Sequence, residues 1–126
     1  MAESFKDLIV WQRAMRLVKD IYRATDSFPK EELYVLTAQL RRAAISIPSN
    51  IAEGKGRFSR PDFLHFLMQA RGSLYELQTQ VMIAADLHYL SESTALNLQH
   101  ECDEVARILN GLVRTFREKN LQIGKS

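Results

Sequence analysis

The chain has 126 residues, 46% of them apolar and 25% charged, which fits one globular domain with one core. No apolar run approaches the roughly 20 residues of a membrane span, and Met1 to Lys6 lacks the basic and apolar regions of a signal peptide, so a cytoplasmic location is expected. The formal net charge of +2 is too small to imply a partner, and the single cysteine, Cys102, excludes an internal disulfide.

The charge distribution says more. Residues 1–72 carry 12 Lys/Arg against 8 Asp/Glu, while residues 73–126 carry 5 against 7. Between Arg41 and Arg60 stand Arg41, Arg42, Lys55, Arg57 and Arg60, with Glu53 as the one acid. That is a modest local basic excess.

Turn signals at Phe28-Pro29, Gly54-Lys55-Gly56 and His88 to Ser91 cut the chain into four segments. The first is expected to be a helix over residues 8–25. It carries two adjacent stripes at helical spacing, Val10, Ala14, Leu17, Ile21 and Leu8, Trp11, Met15, Val18, Tyr22. Two stripes side by side predict burial over a wide arc. The second helix is expected over 29–53. Pro29 suits a first turn, Glu31 and Glu32 complement the N-terminal dipole, and Leu33, Leu36, Leu40, Ala43/Ala44, Ile47 and Ile51 form its core stripe. Gly54 is placed to end it.

The third helix is expected over 59–87, with Ser59 as N-cap and Asp62 three residues on. Its seam is Phe63, Leu67, Ala70, Leu74, Leu77, Val81 and Ala84, alternating four and three. The fourth is expected over 91–119. Its seam is Leu98, Cys102, Val105, Leu109, Leu112 and Phe116, and Arg114 and Arg117 suit its C-terminal dipole. Ile123 to Ser126 is expected to fray. Four such helices with short connections predict an all-α, antiparallel up-down-up-down four-helix bundle.

Catalytic signatures are missing from the sequence. There is no Glu-x-x-His pair for a di-metal site, no Gly-x-Ser-x-Gly elbow, no phosphate loop and no dinucleotide fingerprint. His65, His88 and His100 have no partner at ligand spacing. No metal, no cofactor and no enzymatic activity are expected.

Helix 2 nevertheless breaks helix rules. Pro48 lies in its interior, where it removes a donor and clashes with the Ala44 carbonyl, so a kink is expected. A polar line, Gln39, Arg42, Ser46, Asn50 and Glu53, runs beside its core stripe, and helix 3 bears a matching line with Ser73 and Glu76. In a hairpin about residues 54–60, facing positions sum to about 114, which brings Arg42 near Gly72 and Ser73 and Glu53 near Arg60. These residues are expected to form a semi-buried hydrogen-bond network that fixes register. A catalytic Glu53–Glu76 pair is disfavoured, because the two lie ~22 Å apart along the helices. Gly72 is expected to make room for Arg42.

Phe58, Phe66, Tyr34, Tyr75 and Tyr89 fall off the seams. Aromatics beside arginines point to a subunit interface or a nucleic-acid face.

With these residues in place, the chain resembles the small bacterial four-helix bundle proteins first noticed as products of intervening sequences within 23S rRNA genes. The resemblance starts at Asp7-Leu8-Ile9-Val10-Trp11-Gln12. It is strongest at Gln39-Leu40-Arg41-Arg42-Ala43-Ala44-Ile45-Ser46-Ile47-Pro48-Ser49-Asn50-Ile51-Ala52-Glu53-Gly54 and at Ala70-Arg71-Gly72-Ser73-Leu74-Tyr75-Glu76-Leu77. It implies a ring-shaped homopentamer and no established enzymatic function. A more distant similarity is to accessory proteins of diversity-generating retroelements, basic pentameric bundles associated with nucleic acid. The expected function is therefore a non-enzymatic oligomer that binds RNA or DNA through Arg41, Lys55, Arg57 and Arg60. The alternative is a scaffold that recruits another protein.

Overall fold

The computed structural model describes residues 4–125, with side chains through residue 118. Met1 to Glu3 and Ser126 lie outside the described residues; the chain is helical through Lys125, against the fraying expected from Ile123. Four α-helices follow one another: α1 (Ile9–Thr25), α2 (Leu36–Lys55), α3 (Arg60–Asp86) and α4 (Glu92–Lys125). Short 3-10 turns at Phe5–Asp7 and Lys30–Glu32 precede α1 and α2, and no strand occurs among the described residues.

Each helix contributes one stripe to a common core. Every expected seam residue of α3, from Phe63 to Ala84, is buried. On α1 the Val10, Ala14, Leu17, Ile21 stripe is buried and continues to Thr25. Leu8, Trp11 and Val18 pack half-buried at its margin, and Tyr22 is exposed. On α4 Leu98, Cys102, Val105 and Leu109 are buried, and then the seam moves by one residue. Val113 is buried, while Leu112 and Phe116 stay at the margin. A strict seven-residue seam drifts about 20° per heptad on a straight helix, and this shift corrects for it.

Neighbouring helices are joined by specific pairs. Phe63 packs edge-on against Phe116 with ring centroids 4.9 Å apart. Arg71 donates to Asn110 at 3.3 Å, and Gln78 donates to Asp103 at 3.0 Å. Between α2 and α3 the hydroxyls of Ser46 and Ser73 are 2.8 Å apart. Facing positions there sum to 119 rather than the expected 114.

The largest departure from the sequence expectation is the start of α2. Instead of a helix from Pro29, a 3-10 turn ends at Glu32 and the α-helix begins at Leu36. The Glu32 carboxylate accepts from the Leu36 N–H at 3.4 Å and from the Tyr89 hydroxyl at 2.9 Å. Glu32 thus caps α2 while tied to the far turn of the molecule. Leu33, expected in the core, is exposed, and Tyr34 is 89% exposed.

Pro48 is buried and α2 runs through it. Nearby polar side chains bond carbonyls one and two residues past Ala44. Ser49 donates to Ile45 at 2.8 Å and Asn50 to Ser46 at 2.8 Å.

Candidate nucleic-acid interface

The α2–α3 turn is built by two glycines and a serine. Gly54 is a point of close helix approach: a Cβ there would lie 2.7 Å from the Phe66 Cβ and 3.0 Å from the Phe63 ring. Gly56 ends α2, its N–H donating to the Ala52 carbonyl at 3.2 Å. Ser59 starts α3, its hydroxyl accepting from the Asp62 N–H at 3.2 Å, with Pro61 in the first turn.

Three cations stand on this tight frame, two of them against its aromatic rings. Lys55 Nζ lies 6.0 Å from the Phe63 ring centroid. The Arg57 guanidinium lies 4.9 Å from the Phe66 ring centroid and pairs with Glu53 at 3.0 Å. Arg60 is exposed and makes no ion pair among the described residues. Phe58, between Arg57 and Arg60, is completely exposed. The turn therefore offers cations and one uncovered ring at an end of the molecule. An exposed i,i+4 pair such as Arg57–Glu53 is worth about 0.3–0.5 kcal/mol, so a phosphate can displace it.

Arg41 does not join this group. It precedes Lys55 by 14 residues, about 21 Å along the helix. Its guanidinium stacks 4.5 Å from the Tyr22 ring centroid, and its Nε donates to the Thr25 hydroxyl at 3.0 Å. Arg41 links α2 to α1. With the exposed Arg42 it lines a shallow groove of about 630 Å³ whose other walls include Tyr22, Tyr34 and Ile45.

A second basic surface was not assembled by sequence reasoning. Between α3 and α4, Arg71, Tyr75, Arg114 and Arg117 line a groove of about 440 Å³, with Asn110 and Glu118 at its edges. The signal was available. Facing positions on α3 and α4 sum to about 181, as Arg71–Asn110 and Gln78–Asp103 do, which brings Arg114 close to Arg71.

The polar line of α2 and α3 is only partly assembled. Ser46, Asn50 and Ser73 form a bonded trio, with Asn50 Nδ2 donating to the Ser46 hydroxyl at 2.9 Å. Gln39, Arg42, Glu53 and Glu76 are exposed and make no cross-helix bond among the described residues. Glu53 turns to Arg57 instead of Arg60, and Glu76 accepts from Gln80 on its own helix at 3.4 Å. Gly72 has nothing within 4 Å of a built Cβ, so it makes no room for Arg42. The close approach belongs to Gly54.

Cys102 is buried, and burial pushes its thiol up to about 12, with Asp103 and Glu101 adding to the rise. A thiol so held is inert as a nucleophile near neutrality. Among the described residues no three His, Cys, Asp or Glu side chains stand close enough to hold a metal ion. No helix among the described residues is long and apolar enough to cross a membrane.

No curated protein matches the chain. The four-helix fold is similar to the crystal structure of a protein of unknown function from the S23 ribosomal protein family of Bacteroides thetaiotaomicron, with a TM-score of 0.75 and 19% identity over 83% of this chain and 98% of that one. At that identity the likeness establishes the fold alone. The sequence pattern of the 23S rRNA-intervening sequence protein family matches residues 6–111, which includes both helix blocks, the α2–α3 turn and Arg71. The chain belongs to the 23S rRNA-intervening sequence protein family.

Proposed function

We propose that the chain is a non-enzymatic, cytoplasmic, homo-oligomeric bundle that binds RNA or DNA, rRNA first among them, through basic surface at the α2–α3 turn. The observation that carries this reading is the exposed Phe58 set among Lys55, Arg57 and Arg60. Cations take phosphates without reading sequence, and an uncovered ring accepts a base. Arg41 is set aside as a direct contact, since Tyr22 and Thr25 hold it.

The reading includes an antiparallel up-down-up-down arrangement and a pentameric ring. The first is supported by pairs whose numbers rise on α3 as they fall on α4. The ring is supported by exposed apolar side chains on two different sides. Tyr22, Tyr34 and Ile45 lie on α1, α2 and their connection, and Met82, Ile83 and Leu96 on α3 and α4. Two unlike patches on one copy favour head-to-tail contacts, which form a ring where the rotation between copies closes.

Electrophoretic shift of rRNA and duplex DNA at low and high salt tests the function. A shift at low salt that weakens as salt rises is expected. No shift at low salt, with an assembled protein shown by light scattering, overturns it. The second reading, a protein-recruiting scaffold, draws on the apolar groove of Tyr22, Tyr34 and Ile45. Partner capture that survives nuclease and high salt would favour it.

A further inference from the structure

We infer that the α3–α4 groove is a subsite for single-stranded nucleic acid, in which Arg71, Arg114 and Arg117 hold phosphates and Tyr75 stacks one base. The inference rests on the nucleic-acid reading above and adds a place and a strand form to it.

Charge is the first argument. Three guanidinium groups line one groove of about 440 Å³, and Glu118 is the one carboxylate beside them. Their bonding partners leave the charge uncompensated. Arg71 donates to the neutral Asn110 amide oxygen at 3.3 Å, and Arg117 reaches the Met68 sulfur at 3.6 Å. Arg114 makes no hydrogen bond or ion pair among the described residues. Three like charges beside a single carboxylate repel, and an anion in the groove relieves that. Asn110 orients the Arg71 fork while leaving most of its five donors free. A planar fork with free donors matches a phosphate bidentately.

Shape is the second. The volume falls within the roughly 300–1,000 Å³ of small-ligand sites, so the groove holds a nucleotide unit rather than a helix. Tyr75 contributes a half-exposed ring to the wall. A ring inside a groove reaches only a base that is free of its stack, which a single strand offers and a duplex does not. Arg71 and Tyr75 are four residues apart on α3 and so share a face, as do Arg114 and Arg117 at three residues on α4. The α3–α4 register puts Arg114 level with residue 67 and Arg117 level with residue 64, so Tyr75, Arg71, Arg114 and Arg117 follow one another along one track, with the ring at one end.

Fluorescence anisotropy of a labelled oligouridylate, titrated with the full chain between ~50 and ~200 mM salt, tests this. Arg114→Gln and Arg71→Gln are each expected to lower the slope of log affinity against log salt by about 0.7, the value for one phosphate contact on a single strand. Tyr75→Leu is expected to weaken binding about five-fold or more with the slope unchanged, and Tyr75→Trp to restore it. A merely structural role would not separate slope from affinity in this way. Arg114 is exposed, so its variant keeps the test open if Arg71→Gln folds poorly. Wild-type binding that all these variants leave unaltered overturns the groove and leaves the turn standing. Failure of the wild-type chain to bind at the lower salt overturns both.

Discussion

Gly54→Ala separates local preference from tertiary fit. The residue is helical with ordinary backbone angles, so alanine alone would gain up to about 1 kcal/mol of helix propensity. The added Cβ, however, would stand 2.7 Å from the Phe66 Cβ and 3.0 Å from Phe63 Cδ1. The first of these atoms is fixed to the backbone and cannot rotate away, so α2 and α3 must part by about an ångström at a packed contact. Overpacking of that kind costs about 1–3 kcal/mol, which exceeds the propensity gain. A net loss of about 1–2 kcal/mol is expected. Gly72→Ala is the internal control. Its Cβ meets nothing within 4 Å, so the propensity gain of up to about 1 kcal/mol should appear undiminished. Urea unfolding followed by circular dichroism, at one fixed protein concentration, measures both. If Gly54→Ala is neutral or stabilising, or Gly72→Ala is the more damaging of the two, the placement of the close contact is wrong.

Four other outcomes are expected. Ser46→Ala should cost about 1 kcal/mol, because it breaks the bonds to Ser73 and Asn50, and Ser46→Ala with Ser73→Ala should cost less than the sum of the two. Glu76→Ala should stay within about 0.5 kcal/mol in the same denaturation assay, as an exposed residue should. Cys102 should react with a thiol reagent only as fast as the fold opens, so the rate should follow denaturant concentration; rapid labelling of native protein would contradict its burial. The hydrogen bond to Glu32 raises the Tyr89 phenol above its ordinary value. The folded state then holds the proton more tightly than the unfolded one. This contribution is complete below the ordinary phenol pKa of about 10 and is lost as pH climbs through the raised value. The alkaline fall in urea midpoint should be shallower in Tyr89→Phe; an unchanged slope would refute the coupling.

Core seams were legible because burial imposes periodicity directly. The α3 seam from Phe63 to Ala84 needed only counting, and the α4 seam held until Leu112, where a seven-residue rule drifts from a 3.6-residue helix. The start of α2 was not legible. Pro29, Glu31 and Glu32 form a valid local helix-start signal, but Glu32 is drawn into a bond with Tyr89, 57 residues away. A bond of that separation leaves no mark on the local pattern.

The basic surface was legible in part. Lys55, Arg57 and Arg60 are close in sequence and remain close in space, whereas Arg41 belongs to a different part of α2. The Arg71, Arg114 and Arg117 groove draws on two helices and depends on their register. The extended polar network failed for the opposite reason. A helical line of Gln39, Arg42, Ser46, Asn50 and Glu53 fixes which side chains share a face, but a register error of five positions moved Arg42 away from Ser73.

The most direct test of the central claim is the salt slope of RNA binding by the wild-type chain and by the Lys55→Gln, Arg57→Gln, Arg60→Gln triple variant. If the turn carries three phosphate contacts, the slope should fall by about 2, at roughly 0.7 per contact on a single strand. An unchanged slope in a folded, assembled triple variant would contradict the assignment of the α2–α3 turn as the nucleic-acid surface.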